Sequence, residues 1–313
     1  MNELVSLAQP GVLSNPTTHA EFLTFTLKDQ WLNIDQINEA LSQLPGIEKS
    51  IRQKDTSAGL SVTIGFSANS WPILFPDVPT PSELHDFPAL ADGPRLFPST
   101  SGDIFLMVKS ERKDLNFQVA KYAARALADV ADLIEDIQGF KHLDNRDMID
   151  FVDGTENPLD EERAEAVLVQ EGSDNEVGGS YLTVQRYVDR HQDWDALPTE
   201  QQEKVVGRTK MDDIELSDEE KPAWAHNEKS KVEVDGEEIK MYRQNRPYGN
   251  AIEHGTMFVG FAASASVVET SLKQMITADE NGDYDKLLDF VEAKTGTNYF
   301  VPSQRFLDAR FDD

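Results

Sequence analysis

The strongest constraint on the fold of this chain is a repeated order of elements. Each half reads strand, helix, strands, helix, and matching elements are offset by roughly 150–160 residues, as an internal duplication would leave them. In the first half, Phe22–Leu27 is rich in β-formers and reads as a strand. Trp31–Leu44 carries Leu32, Ile34, Ile37, Ala40, Leu41 and Leu44 at helical spacing, and Pro45-Gly46 is expected to stop that helix. Leu60–Phe66 alternates as a second strand. Ser67–Gly102, rich in Pro and Ser, reads as a long packed loop, and Ile104–Val108 as a wholly apolar central strand. A long helix is predicted from Asp114 to Asp136, with Ala120, Ala123, Leu127, Val130 and Ile134 on one face. The second half supplies strands at Tyr181–Val188, Ile239–Arg243 and Met257–Phe261. Its helices are placed at Gln201–Val206, Ala265–Met275 and Tyr284–Ala293. Residues 1–18 read as an irregular leader. The pattern predicts an α+β fold of tandem ferredoxin-like units, each an antiparallel β-sheet with helices on one face, divided as 1–145 and 146–313.

Charge narrows the partners. The 313 residues carry a formal net charge of −28, which argues against nucleic acid, whose phosphates need Lys and Arg, and against anionic membranes. No apolar run approaches the length of a membrane span. Met1-Asn2-Glu3-Leu4 lacks a basic n-region and an apolar h-region, so a cytoplasmic location is expected. There is no cysteine, which removes disulfides, zinc ribbons, iron–sulfur clusters and thiol nucleophiles.

Near the midpoint lies Phe151-Val152-Asp153-Gly154-Thr155-Glu156-Asn157-Pro158. Asp153-Gly154 and Asn157-Pro158 are turn pairs, while Phe151 and Val152 tie the loop to a buried element. Read locally, it is either a polar turn between units or a carboxylate held over a buried ligand. None of the six histidines is paired at a metal-binding spacing such as His-x-x-x-His. A lone histidine still suffices where the metal brings its other ligands, as haem does. His226 is singled out by the preceding Lys221-Pro222-Ala223-Trp224-Ala225, in which proline and tryptophan fix a short approach. Tyr242-Arg243-Gln244-Asn245-Arg246-Pro247-Tyr248-Gly249 is either a solvated strand end or a guanidinium and an amide aimed at a charged or oxidised ligand. Gly207-Arg208-Thr209-Lys210 is a basic loop suited to carboxylates. No phosphate-cradling glycine loop and no Gly-x-Ser-x-Gly elbow occurs.

Taken in order, these stretches resemble the dye-decolourising peroxidase family, in its bacterial cytosolic branch without a signal peptide. The resemblance runs through Val152–Pro158, Gly179-Ser180-Tyr181, Val206–Lys210, His226, Arg243-Gln244-Asn245 and Gly255-Thr256-Met257-Phe258. It continues through Leu287-Leu288-Asp289-Phe290 and Phe300-Val301-Pro302-Ser303, and spans residues 20–306. It implies a pair of ferredoxin-like units with haem b in the second. It further implies His226 as the iron ligand, Asp153 as the distal carboxylate, and Arg243 and Asn245 as the rest of the distal pocket. Asp289 would accept the ligand histidine's other ring proton. Arg208 would lie near a propionate, and Gly154 and Thr155 against the cofactor. Helical spacing places Asp289 with Asp285 and Glu292 on a polar stripe, so its place beneath the haem rests on the family alone.

The function so implied is reduction of hydrogen peroxide through a ferryl intermediate and oxidation of an aromatic or dye-like one-electron donor. A distal carboxylate carries the proton between the peroxide oxygens, and a cation stabilises the charge that develops. Bulky donors would react at the surface through some of Trp31, Trp71, Trp194, Trp224 and the seven tyrosines. A homo-oligomer is expected. The rival is a haem-handling protein that stores, transfers or strips haem and shows only incidental peroxidase activity; such a carrier has little use for Asp153 and Arg243 together.

Overall fold

The computed structural model describes residues 2–28 and 33–311. Ten strands build the main sheet. In the first half these are β1 (His19–Leu27), β2 (Ser61–Phe66), β3 (Ile104–Ser110) and β4 (Ala131–Phe140). The second half contributes β5 (Ser180–Asp189), β6 (Tyr242–Arg243), β7 (Arg246–Gly249), β8 (His254–Ala262), β9 (Val291–Ala293) and β10 (Thr297–Val301). All pairings are antiparallel. The first half has the order β4-β1-β3-β2 and the second β10-β5-β8-β7, so both place their strands fourth, first, third, second. The halves meet twice, at Phe66 opposite Phe300 and at Gly139 opposite Tyr248. Because β8 also pairs with β5, eight strands close into a barrel-like ring, with β6 and β9 appended.

Strand alternation explains the two apolar layers. One face of the ring gathers Phe22, Phe105, Met107, Leu182, Val184, Met257, Val259, Phe261, Tyr299 and Val301. The other face of β1 turns Leu23 and Phe25 onto α1 (Ile34–Arg52) and α2 (Lys113–Leu127), which answer with Ile37, Leu41, Leu44, Ala120, Ala123 and Leu127. In the second half α3 (Thr199–Val206) and α4 (Ala265–Ile276) take the outer positions, and α4 packs Val268 and Leu272 with Phe258 and Tyr187. Among the described residues no helix is long and apolar enough to cross a membrane.

Several elements differ from the sequence reading, each for a visible reason. Pro45 lies inside α1 and does not end it. The missing N–H and the ring cost about 3 kcal/mol, but the buried stripe of Ile37, Leu41 and Leu44 continues through Ile47 to Ile51, and that packing outweighs the break. Trp31 and Leu32, the expected start of this helix, lie outside the described residues. The long helix expected to reach Asp136 stops at Leu127, and β4 follows. Ile134, assigned to the helical face, is 51% exposed, so its spacing with Leu127 and Val130 was coincidental. What decides the region is the backbone of β1, which pairs with β4 from His19–Phe140 to Leu27–Ala131. The strand expected at Ile239–Arg243 shrinks to β6. Tyr284–Ala293 is a 3₁₀ turn, Lys286–Asp289, followed by β9, not a helix. The leader forms two short helices, Asn2–Leu7 and Pro10–Leu13.

Between those helices, Gln9 is 1% exposed. Its Nε2 donates to the carbonyls of Ile64 and Pro302, both at 2.9 Å, and its Oε1 accepts from the Ile64 N–H at 2.8 Å. It thus staples the seam between β2 and β10, where the ladder has a single registered pair. Gln9→Ala leaves these backbone groups unpaired, and is expected to lower unfolding stability by about 1–3 kcal/mol. A denaturant midpoint equal to that of the parent would refute the staple.

Candidate active site

The midpoint loop is held by its own backbone. Asp153 N–H donates to the Asn145 carbonyl at 3.0 Å, and Asn145 Nδ2 returns a bond to the Asp153 carbonyl at 2.8 Å. Gly154 has φ 87°, a left-handed conformation in which a side chain is strained, and it turns the chain directly after the carboxylate. The Asp153 carboxylate has no hydrogen-bond partner among the described residues, although its backbone is pinned on both sides.

Asn157, from the same loop, clamps the second stretch. Its Oδ1 accepts from Arg243 N–H at 3.0 Å and its Nδ2 donates to the Arg243 carbonyl at 2.8 Å. Alternation along the chain then separates the neighbours. Gln244 turns away to the Gly11 and Val12 carbonyls, both 2.9 Å, while Arg243 and Asn245 line the cleft. Asn245 Oδ1 accepts from the Val259 N–H at 3.1 Å, and the Arg243 guanidinium makes no ion pair among the described residues.

His226 opens a short helix, His226–Lys229, just after the buried Ala225. Its Nδ1 lies 2.7 Å from Oδ2 of Asp285, which is fully buried. This corrects the expectation for Asp289. Asp289 instead accepts from the Tyr284 hydroxyl at 2.8 Å, at the exposed end of the 3₁₀ turn. The cause is the change of element. Asp285 caps that turn, with Oδ1 accepting from Leu287 N–H at 2.9 Å, and its own N–H is tied to the Met275 carbonyl at 2.9 Å. The cap points Asp285 inward at the histidine. A Nδ1 proton given to this carboxylate leaves Nε2 unprotonated, the tautomer that ligates a metal.

His226, Asp153, Arg243 and Asn245 all line one cleft of about 1580 Å³, counting the part open to solvent. Apolar walls come from α4 (Val268, Leu272, Met275), from Leu287 and Leu288, and from Phe258. A smaller adjoining cleft touches Asp153 and Arg243 but not His226. Arg208 lies in the wall with its guanidinium engaged by Asp213 Oδ1 at 2.7 Å and Glu156 Oε1 at 2.9 Å. Thr155 hydrogen-bonds Asp213, and Gly154 and Thr155 line the cleft.

Three further groups in this wall were not singled out from sequence. Asp147 Oδ1 accepts from the Ile149 and Phe151 N–H groups at 3.1 and 2.9 Å; burial, then the charge of Asp153, pushes its carboxyl well up. Burial alone pushes Asp189 up to about 7, and burial raises the Tyr187 phenol. The cleft therefore holds protonatable acids besides Asp153. No motif in the sequence marks Asp147; its place is set by the turn that its N–H closes on the Phe151 carbonyl. Trp194 is 1% exposed, donates to the Ile149 carbonyl at 3.2 Å, and packs on Phe151 and Phe290.

The donor set tests what the cleft can hold. Among the described residues no group of three or more His, Cys, Asp or Glu side chains is placed to bind a metal ion. One imidazole with a fixed tautomer in an apolar slot suits a metal that arrives with its equatorial ligands, inside a flat apolar macrocycle. Fold and site thus define a closed-ring α+β protein whose cleft brings a carboxylate-backed histidine together with an unpaired carboxylate and an unpaired guanidinium.

Family models agree. One described as "Dyp-type peroxidase, N-terminal" matches residues 9–141, and one described as "Dyp-type peroxidase, C-terminal" matches 144–306. The chain belongs to the Dyp-type peroxidase family, an enzyme family of haem peroxidases. It is 37% identical over 305 residues to a dye-decolorizing peroxidase of Rhodococcus erythropolis, covering 96% of this chain and 89% of the relative. It is 36% identical over 275 residues to one of Mycobacterium tuberculosis, covering 87% and 82%. Among solved structures, DyPB from Rhodococcus jostii superposes with a TM-score of 0.91 at 34% identity, covering 96% of this chain and 97% of that one. A variant of that protein, described as in complex with heme, gives 0.92 at 34% identity, covering 96% and 98%.

Proposed function

We propose that this chain binds haem b in the larger cleft and reduces hydrogen peroxide at the expense of an aromatic or dye-like one-electron donor. The observation that carries the reading is the pairing of a carboxylate-backed His226 with uncommitted Asp153 and Arg243 side chains in one cleft. Bound haem supplies an iron centre that takes up peroxide and exchanges electrons with it. His226 Nε2 would hold that iron, with Asp285 fixing the ring and its tautomer through Nδ1. Asp153 would take a proton from one peroxide oxygen and return it to the other. Arg243 presents N–H donors to the oxygen that gains negative charge as the O–O bond breaks. Asn245, anchored by the Val259 N–H, keeps its amide N–H₂ for the same space. Arg208, already held by Asp213 and Glu156, would meet a cofactor carboxylate only by exchanging one of these partners. These residues all belong to the second of two ferredoxin-like units, 1–145 and 146–313, as we read the repeated strand order.

A haem carrier is the rival reading, and a pocket holding both Asp153 and Arg243 disfavours it. The test is an absorption spectrum of the haem-loaded protein before and after one equivalent of peroxide, with dye added next. An unchanged spectrum and no bleaching of the dye would overturn the proposal.

The two carboxylates near His226 give a sharper check. Asp285→Asn is expected to lower haem affinity by about 10–100-fold. Asp289→Asn, altering only the bond from Tyr284, should leave affinity within a factor of about two. Haem titrations of the two variants decide the matter, and a larger effect at Asp289 would reverse the assignment.

A further inference from the structure

The smaller cleft encloses about 700 Å³, counting the part open to solvent, and shares Asp153, Gly154, Arg243 and Asn245 with the larger. Its basic side chains are Lys141, His142, Arg146, Arg163, Arg243 and Arg246; Asp153 is the single carboxylate among the described residues lining it. In a chain of net charge −28 that concentration of positive charge is out of keeping with the rest of the surface.

Arg163 and Arg246 are satisfied as donors but not as charges, while the Arg243 guanidinium has no partner of either kind among the described residues. Arg246, 5% exposed, donates to the carbonyls of Asn245 and Thr17. Arg163 donates to the Pro158 and Leu13 carbonyls at 3.1 and 2.8 Å and to Asn15 Oδ1 at 2.8 Å, and it stacks 4.2 Å over the Tyr242 ring. Behind this wall Lys109, 2% exposed, donates to the Ser14 carbonyl and to Gln244. Among the described residues only Arg146 is answered by a carboxylate, that of Asp144 at 2.8 Å. Among the described residues Arg163, Arg243, Arg246 and Lys109 form no ion pair. Neutral carbonyls use up N–H groups yet leave the positive field in place, and in a half-buried cleft that field is weakly screened. Its effect on the neighbours is visible: burial, then Arg246 and Arg163, holds the Lys109 ammonium well below its usual range.

We infer that the smaller cleft is a binding site for a small monoanion, a carboxylate of the size of formate or an inorganic ion like it, held in the shared field of Lys141, Arg163, Arg243 and Arg246. Asp153 is the single carboxylate set against these cations, which leaves room for one added negative charge, and the cleft admits an ion of this size without being filled by it. A bound anion offsets the buried positive charge and sits beside Asp153. The inference rests on this cleft alone and stands whether or not the larger one takes haem.

Calorimetric titration with sodium formate tests it, at ionic strength held constant with the bulkier gluconate, and in parallel with sodium nitrate to separate a carboxylate requirement from a general anion site. Haem-loaded protein should bind one formate per chain with an unchanged absorption spectrum, and the His226→Ala protein should bind it equally. Lys141→Glu and Leu159→Glu reverse or add charge at the rim, where Leu159 is 64% exposed, so neither disturbs the core. Each should raise Kd about five- to tenfold, as expected for one charge a few ångströms away in a partly solvated site, while Lys141→Arg keeps the parental value. No saturable heat would overturn the inference, as would a Kd that neither rim variant moves. Binding that appears only with a spectral change and vanishes in His226→Ala would place the anion on the iron and overturn it too.

Discussion

His226→Ala is expected to leave the purified protein with little haem, and added imidazole should restore part of it. The reason is the sparse donor set. Among the described residues His226 is the one histidine lining the cleft, so its bond to iron would be lost with it. What remains is the apolar slot, which still attracts a flat macrocycle through burial of its surface. The vacated imidazole volume lies beside Asp285, so free imidazole can enter, donate to that carboxylate and present its other nitrogen to the iron. Haem content per chain, with and without imidazole, measures this. A full haem load with an unaltered spectrum would show that another residue is the ligand.

Asp153→Asn and Arg243→Leu are expected to keep haem and lose the peroxide step. Neither carboxylate nor guanidinium has a partner among the described residues, so neither change leaves an unpaired buried group behind. The asparagine is isosteric but cannot carry a proton at neutral pH, and removing a positioned general base costs about 10²–10⁴-fold. Removing a preorganised donor to a developing oxyanion costs about 10²–10³-fold. The Asn157 clamp on the Arg243 backbone should keep the leucine variant's chain in place. Stopped-flow consumption of one equivalent of peroxide gives the second-order rates. Parental rates in both variants would remove the distal assignment altogether.

The sequence disclosed some parts of this molecule more readily than others. Strands such as Leu60–Phe66 and Met257–Phe261 could be found because short runs of β-forming residues coincide there with nearly continuous burial. β4 was hidden because Leu127, Val130 and Ile134 happen to keep a helical spacing, and only its pairing with β1 makes it a strand. The same kind of error reached the site. With Tyr284–Ala293 taken as a helix, Asp285 and Asp289 fall on one polar stripe and nothing separates them. Once that segment is a 3₁₀ turn, the capping role turns Asp285 into a buried partner for His226 and leaves Asp289 outside. Loop residues carrying unusual types together, Asp153-Gly154 and Arg243-Gln244-Asn245, stood out by chemistry. Asp147, Asp189 and Asn157 did not, because their importance comes from what they touch.

Closing eight strands into a ring leaves no free edge between the two halves. Either half made alone would present bare backbone donors and acceptors along two strands, β2 and β4 in one, β7 and β10 in the other, and such edges seek partners. Both halves place their strands in the same order, so two copies of a single half already have the geometry to complete one another. The ring is what two identical half-sized chains would build if the second strand of each paired with the fourth strand of the other. Joining them in one polypeptide frees each half to diverge, one toward scaffold and the other toward chemistry, without exposing either edge.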